Sequence, residues 1–438
     1  MGKKSRKTRS NKKSSCDDVE PQCNVRLCDA KPYMRNFRLA ADQGCADAQL
    51  VLGKCFQEGE GVEKDLKEAM RYYGLAADQG DATGQVSLGL VYYKGEGVEK
   101  NRKEAARYFA LAADQGHVEA QFNLANCFHD GTGVKKNLTK ALRLWRLATD
   151  QGHVAAQFNV GFCYQNGKGV EKNPTKALRY FRLAADQGDA AAQFALGLCY
   201  LNGDGVEKDG EEAARYFKLA ADQGNARAQC NLGYAFVESG INIEVGVRLL
   251  RLATDQGHAA AQCNLGLCYM NGTGVEKNPT EALRLWRLAA DQGHAAAQVN
   301  VGKCYHDGNG VEKDLKVAEC CLKLATDQGD AKAQYELGKW YLTRFNKPRS
   351  YKAAKLIRAS AEQGYEEARD YMRTIVVDGL VDVEVCAWCA KEIIGAKKCG
   401  GCQCVCYCNE ACQKEDWKTH KMSCRPENIR CVNITLVI

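Results

Sequence analysis

Three absences bound what this chain can be. Nowhere does it reach the roughly 18 consecutive apolar residues that a bilayer-spanning helix needs, which argues against such a span. No apolar run follows the basic start MGKKSRKTRSNKK, which argues against a secretory leader and predicts a soluble, intracellular protein of cytoplasm or nucleus. Beyond that start there is no surplus of either charge. Seven of the 61 lysines and arginines lie in residues 1–13, which hold no acid, leaving 54 bases against 54 acids in 14–438. The body is neutral and the tail basic. The run Lys3, Lys4, Arg6, Lys7, Arg9, Lys12 and Lys13 fits a disordered solubilising arm, with a nuclear-import signal or a nucleic-acid contact as alternatives.

What the chain does have is repetition. The tripeptide DQG stands at 42–44, 78–80, 114–116, 150–152, 186–188, 222–224, 255–257, 291–293 and 327–329, with EQG at 362–364, marking a 36-residue unit. A unit of that size cannot bury its own apolar face, so neighbours stack into one core and leave a long surface for partners. Length alone would suggest two or three domains, but an array grows by adding units.

Residues 153–188, HVAAQFNVGFCYQNGKGVEKNPTKALRYFRLAADQG, read as helix, glycine-rich loop, helix. The first helix ends at Asn166-Gly167, where glycine takes the left-handed conformation that a side chain resists. Asn173 caps the second, and Pro174 occupies its first position, where no backbone donor is needed. Equivalent caps stand at Asp65, Asn101, Asn137, Asp209, Asn278 and Asp314, and Glu68, Glu104, Glu212 and Glu281 complete the capping-box spacing in four units.

A glycine recurs inside the first helix, at Gly53, Gly89, Gly161, Gly197, Gly233, Gly266, Gly302 and Gly338, although it costs about 1 kcal/mol against alanine there. Close approach of the paired helix is the expected compensation, with Ala125 in the same place in the third unit and Ala76, Ala112, Ala184, Ala220 and Ala289 as small residues on the second helix.

The spacing AQ-x-x-LG-x-x-Y-x-x-G-x-GV-x-K-(D/N)-x-x-x-A, ending in AADQG, resembles the Sel-one-like repeat, a relative of the tetratricopeptide repeat, over some 350 residues. The resemblance implies an all-α, right-handed solenoid of antiparallel helix pairs, in a family of adaptors and assembly scaffolds. Nine units are counted, between a leading half at Tyr33–Ala41 and a closing cap at Tyr365–Asp378. Around Glu238-Ser239-Gly240 the period drops to 33 and the GxGV loop is lost, as it is at Thr343–Ser350; a local change of superhelical pitch is expected at both.

Three ladders of functional residue types run through the units. Cys55, Cys127, Cys163, Cys199, Cys268 and Cys304 share one position, with Val91 and Ala235 as equivalents, and fit small buried apolar side chains. Arg71, Arg107, Arg143, Arg179, Arg215, Arg248 and Arg284 share another; a solvated face paired with the glutamates three residues earlier is preferred over a phosphate-reading one. His117, His153, His258 and His294 alternate with Asp81, Asp189, Asn225 and Asp330 after the DQG, as polar helix starts and not as bases for catalysis.

The segment CAWCAKEIIGAKKCGGCQCVCYCNEACQKEDWKTHKMSC, 386–424, has a different logic. With 24 cysteines in a reducing compartment, thiolate metal sites are more credible than disulfides. Cys386, Cys389, Cys399, Cys402, Cys408, Cys412, His420 and Cys424 suffice for two tetrahedral zinc sites. A helix through Asn409–Ser423 would set His420 and Cys424 on one face.

The spacing resembles the MYND zinc finger, including YC-x3-C-Q-K-x-D-W-x-x-H-K-x-x-C from Tyr407 to Cys424. The resemblance implies interleaved ligation, Cys386, Cys389, Cys408 and Cys412 on one zinc, Cys399, Cys402, His420 and Cys424 on the other. Cys404 or Cys406 is an alternative to Cys402. With every coordination position filled by protein, both ions are structural. The family binds short proline-rich peptides, which directs attention to Gln413 and Trp417; the alternative for Trp417 is packing within the finger.

The expected organisation is a basic tail at 1–29, the solenoid at 30–378, a linker at 379–385, the finger at 386–424 and a C-terminal tail at 425–438. The function expected is a non-enzymatic adaptor that binds protein partners. Catalytic domains such as SET, found beside MYND fingers, find no room in the remaining sequence. Nucleic-acid association through the tail and the Arg ladder is the alternative. A ubiquitin-ligase component is a lesser one, disfavoured because RING fingers use Cys-x2-Cys pairs where this chain has x3 spacings.

Overall fold

The structure, a computed structural model, describes residues 30–344, 351–377, 397–398 and 406–407. The basic tail, the linker, the eight expected zinc ligands, Gln413 and Trp417 lie outside them. Among the described residues the chain forms twenty α-helices and one two-stranded ladder. The helices divide between two compact units.

The first unit takes residues 1–192 and 202–208. It holds α1 (Ala30–Asp42), α2 (Ala46–Glu58), α3 (Leu66–Asp78), α4 (Ala82–Lys94), α5 (Arg102–Asp114), α6 (Val118–Asp130), α7 (Leu138–Asp150), α8 (Val154–Asn166) and α9 (Pro174–Asp186). The second takes residues 193–201 and 209 onward. It holds α11 (Gly210–Asp222), α12 (Ala226–Ser239), α13 (Ile243–Asp255), α14 (Ala259–Asn271), α15 (Pro279–Asp291), α16 (Ala295–Asp307), α17 (Leu315–Asp327), α18 (Ala331–Arg344), α19 (Tyr351–Glu362) and α20 (Glu366–Val377). The intervening α10 (Ala190–Asn202) is shared between them.

Both units obey one local grammar. The first helix of each hairpin ends on a left-handed glycine, Gly59 at φ 82° and Gly167 at φ 68° being examples. The chain turns through the loop until the next N-cap folds its own backbone N–H onto the preceding helix: Asn173 donates to the Tyr164 carbonyl at 2.8 Å and Asp65 to Phe56 at 2.9 Å. The cap side chain accepts from the first turn, as Asn173 Oδ1 does from the Lys176 amide at 2.9 Å. The capping box is therefore half made. Asp65 accepts the Glu68 amide at 3.1 Å, but Glu68 turns to Arg71 because the Asp65 amide is already engaged.

The helical glycines are where the paired helix comes closest, but the neighbour at Gly53, Gly89, Gly161, Gly197 and Gly266 is an aromatic ring rather than the expected alanines, with Leu322 and Ile357 taking its place at Gly302 and Gly338. A Cβ on Gly161 would lie 2.7 Å from Phe181, and one on Gly197 2.7 Å from Phe217. Burying such rings contributes about 1.5–3 kcal/mol each, which outweighs the helix propensity lost at glycine. The alanines serve the next joint: Ala76 is fully buried, and a Cβ on Gly84 would come within 2.8 Å of its methyl.

A glutamine relay spans every hairpin joint. The DQG glutamine donates to the buried AQ glutamine one helix back, Gln187 to Gln157 at 2.7 Å and Gln151 to Gln121 at 3.0 Å in the first unit, Gln223 to Gln193 at 2.8 Å and Gln328 to Gln298 at 2.9 Å in the second. Gln49 and Gln229 pass their own amide on to the Ala41 and Ala221 carbonyls at 3.1 Å. A buried amide left without its partner costs about 1–3 kcal/mol, so this pairing fixes both tripeptides.

At the shortened repeat, α12 has 14 residues where α2, α4, α6, α8, α10, α14 and α16 have 13, and it ends on Gly240 at φ 70°. Asn242 then starts α13 without a side-chain cap bond. With Gly233 opposite Gly246, an added Cβ on either would lie 2.9 or 2.8 Å from the other's carbonyl oxygen. The lost loop is replaced by a closer helix pair.

Candidate functional site

The second helices of seven hairpins, α3 to α15, carry the arginine ladder on an exposed face. Arg71 meets Glu68 at 2.9 Å, Arg107 meets Glu104 at 2.9 Å, Arg215 meets Glu212 at 2.8 Å and Arg284 meets Glu281 at 2.6 Å. Three of these guanidiniums also lie 4.2 Å from the ring centroids of Tyr72, Tyr108 and Tyr216. Pairs this exposed add only about 0.3–0.5 kcal/mol each, but they neutralise the face. The expected paired face is thus present in four units. Arg143, Arg179 and Arg248 are exposed and have no carboxylate partner among the described residues.

One feature of this face had no reading in the sequence. The leucine that precedes each AADQG or ATDQG, from Leu39 to Leu324, is 38–53 % exposed. Its signal was its place, in seven units four residues after the ladder arginine and therefore beside it on the helix surface.

The cysteine ladder is core. Cys127, Cys163, Cys199, Cys268 and Cys304 are buried, Cys55 is half-buried, and Val91 substitutes at 3 % exposure. Ala235, in the shortened unit, is exposed instead. Burial pushes the thiols of Cys127, Cys163 and Cys304 up to about 11, which keeps them protonated and unreactive at neutral pH. Among the described residues no group of three His, Cys, Asp or Glu side chains is placed to hold a metal. Iodoacetamide on the native protein at neutral pH should label the exposed Cys320 and spare these three thiols, read by peptide mass spectrometry. Equal labelling of Cys163 and Cys320 would contradict the burial.

The helix-start histidines act as caps, with one exception. His153, His258 and His294 accept the amides of Ala156, Ala261 and Ala297 on Nδ1, at 3.1, 3.3 and 3.3 Å. Asp81, Asp189 and Asp330 do the same at 2.6–2.7 Å. His117 makes no such bond, and its Nδ1 is buried without a partner.

A capping Nδ1 must be unprotonated, and burial lowers the pKa of His258 and His294, with Arg227 adding to the effect at His258. Their folded pKa lies below the unfolded one, so their contribution is complete above the ordinary histidine pKa of about 6.5. It is lost as pH falls through the folded value. A urea titration should show stability dropping over that window, and His258→Asn with His294→Asn should flatten the slope. An unchanged slope would sink the cap assignment.

In the cysteine segment the described backbone is the antiparallel pair β1 (Lys397–Lys398) and β2 (Cys406–Tyr407), with Lys397 opposite Tyr407 and Lys398 opposite Cys406. In the sequence, Cys399 and Cys402 fall between these two strands and Cys408 follows the second. A Cys-x2-Cys pair between two short strands, with further thiols on either side, is a donor set suited to zinc.

The Sel1 repeat family model matches this chain nine times, at 46–81, 82–117, 118–153, 154–189, 190–225, 226–258, 259–294, 295–330 and 331–365. The chain belongs to the Sel1 repeat family. Two solved structures carry the likeness. A Sel1 repeat protein from Oxalobacter formigenes is 32 % identical with a TM-score of 0.52, covering 70 % of this chain and 89 % of its own. The protective antigen c5321 of uropathogenic Escherichia coli, described as displaying an SLR fold, is 29 % identical with a TM-score of 0.56, covering 81 % and 84 %. The all-helical repeat fold expected from the sequence is therefore the family's own.

The MYND finger model matches residues 386–424, and zinc binding follows from it. Over 41 residues the chain is 49 % identical to human N-lysine methyltransferase SMYD2, and over 40 residues 38 % identical to the SET domain and MYND-type zinc finger protein 6 of Schizosaccharomyces pombe. These matches take 9 % of this chain and 10 % and 8 % of those proteins. The chain thus spans a tenth or less of the curated relatives, within the finger. This Sel1 protein shares their finger; the methyltransferase activity in the first name is a property of that relative.

Proposed function

We propose that this Sel1 repeat protein is a non-enzymatic adaptor of cytoplasm or nucleus, in which the helical repeats hold one protein and the MYND finger recruits another. The observation that carries the proposal is the pairing of two interaction modules whose matches, 46–365 and 386–424, take up most of the sequence. Tethering two binding modules raises the effective concentration of one partner beside the other without any new contact.

In the finger, Cys386, Cys389, Cys408 and Cys412 hold one structural zinc, and Cys399, Cys402, His420 and Cys424 hold a second, with Cys404 or Cys406 the alternative to Cys402. The alternation of these pairs along the sequence supports this division. The metal supplies the folding energy that so short a segment lacks. Gln413 and Trp417 line the groove for a proline-rich peptide, whose pre-extended backbone suits an aromatic wall.

The purified protein should carry two zinc ions per chain by elemental analysis; one or none would refute the ligand division. A fluorescent proline-rich peptide should bind the full chain and lose about tenfold or more in affinity on Trp417→Ala at unchanged zinc content. Unchanged binding would remove the peptide groove. Tight binding to duplex DNA that survives physiological salt would favour a nucleic-acid role over the adaptor.

A further inference from the structure

The arginine ladder has a break in its neutralisation, and the break is local. Where α3, α5, α11 and α15 place a glutamate three residues after the N-cap, α7 and α9 place Lys140 and Lys176. The loop before α7 also has Lys135 at the position held by Glu63, Glu99, Glu171 and their later equivalents. Residues 132–183 consequently hold ten lysines and arginines against two acids, Asp150 and Glu171, a local excess of eight positive charges in a body whose bases and acids balance overall. All of this surface lies within the first compact unit.

The helical period puts Lys140, Arg143 and Leu147 on one face of α7, and Lys176, Arg179 and Leu183 on the same face of α9. All four cations are exposed, and both leucines are 41 % exposed. Arg143 and Arg179 make no ion pair among the described residues, unlike their counterparts at 71, 107, 215 and 284. The two lysines lie over the rings of the preceding first helix: Lys140 Nζ is 5.4 Å from the Phe128 centroid and Lys176 Nζ 5.5 Å from that of Tyr164.

We propose that this face of α7 and α9 is a docking surface for an acidic segment of a partner protein that carries leucine-like side chains between its carboxylates. The cations supply complementarity and steering. The leucines beside them supply burial that a purely charged ligand would waste. A nucleic acid suits the surface less well, because a phosphate backbone leaves Leu147 and Leu183 uncovered and the nearby rings are already covered by lysine where bases would stack. The proposal rests on the adaptor reading and assigns its repeat half to one pair of helices.

The test uses the full-length protein and three labelled probes: a synthetic peptide of repeated Glu-Leu-Glu units, the same peptide with every leucine replaced by serine, and a single-stranded oligonucleotide. The leucine peptide should bind, and Arg143→Glu with Arg179→Glu should weaken it about tenfold or more. The paired counterparts Arg71→Glu with Arg107→Glu should change it less than about twofold, and the serine peptide should bind about tenfold more weakly than the leucine peptide. Far-UV circular dichroism checks that the exposed substitutions leave the helices intact. Equal effects of the two double variants, equal binding of the two peptides, or tighter binding of the oligonucleotide through Arg143 and Arg179 would each overturn the proposal. If the leucine peptide fails while the proline-rich peptide still binds the finger, this surface falls and the recruiting finger stands; if both fail, the adaptor reading falls as well.

Discussion

Replacing Gly133 by alanine is expected to lower the stability of the repeat array by about 3 kcal/mol or more, the largest loss from any single methyl added to a glycine among the described loops. Gly133 is the second glycine of the third unit's loop, at φ 74°. A Cβ there would lie 1.9 Å from the Arg102 carbonyl oxygen and 2.4 Å from its carbonyl carbon, at the first turn of α5 in the preceding repeat. The obstacle is helical backbone, which cannot rotate away as a side chain would. Gly152 supplies the control: it has φ 88° and nothing within 4 Å of its added Cβ, so Gly152→Ala meets the left-handed cost alone, about 1 kcal/mol. Urea unfolding followed by far-UV circular dichroism should separate the two variants clearly. Indistinguishable midpoints would mean that the loop does not seat against the preceding repeat. Since a repeat array is stabilised by its nearest-neighbour interfaces, the defect should register as weakened coupling between adjacent repeats.

The contrast between Gly133 and Gly152 also shows what the sequence could and could not convey. Both recur in every regular unit and both read as turn glycines, yet one is required for its φ alone and the other for φ and for contact with the repeat before it. Signals that act within a few residues were legible: Asn173 and Pro174 announce the start of α9, and Gly167 the end of α8. Signals that act between helices were only half legible. A close approach was expected at Gly161, but the ring of Phe181, twenty residues on, was not identifiable as the neighbour. The AQ and DQG glutamines were visible as markers, while their bond to each other spans thirty residues and emerges only when the helices stack. The exposed leucines were missed for the opposite reason: leucine in an amphipathic helix is ordinarily assigned to the core, and only the packing shows that this one is left outside. For the cysteine segment the balance reverses. Ligand type and spacing carry the chemistry there, and the structure adds the pairing of Lys397–Lys398 with Cys406–Tyr407.

Substituting His420→Ala should strip zinc from the finger and abolish proline-peptide binding while leaving the helical array almost untouched. Structural zinc contributes about 10–16 kcal/mol in apparent binding free energy to small fingers, more than a segment of this length can replace by burying apolar surface. Losing one of four ligands therefore costs the finger its fold. The array has a separate source of stability in the rings, alanines and glutamine pairs of its own joints, such as Phe181 against Gly161 and Gln187 on Gln157, and none of these involves a metal. The variant should lose at least one of the two proposed zinc ions by elemental analysis. Its far-UV circular dichroism should keep the helical signal, and the stability of the array extrapolated from urea unfolding should change by less than about 10 %, within the uncertainty of the extrapolation. Cys408→Ser, in the other proposed ligand set, should give the same pattern, because the two proposed sets alternate along the sequence and each zinc would tie together segments that flank the other's ligands. Retention of both zinc ions by His420→Ala would refute the assignment of His420, and a collapse of helicity would show that the repeats depend on the finger.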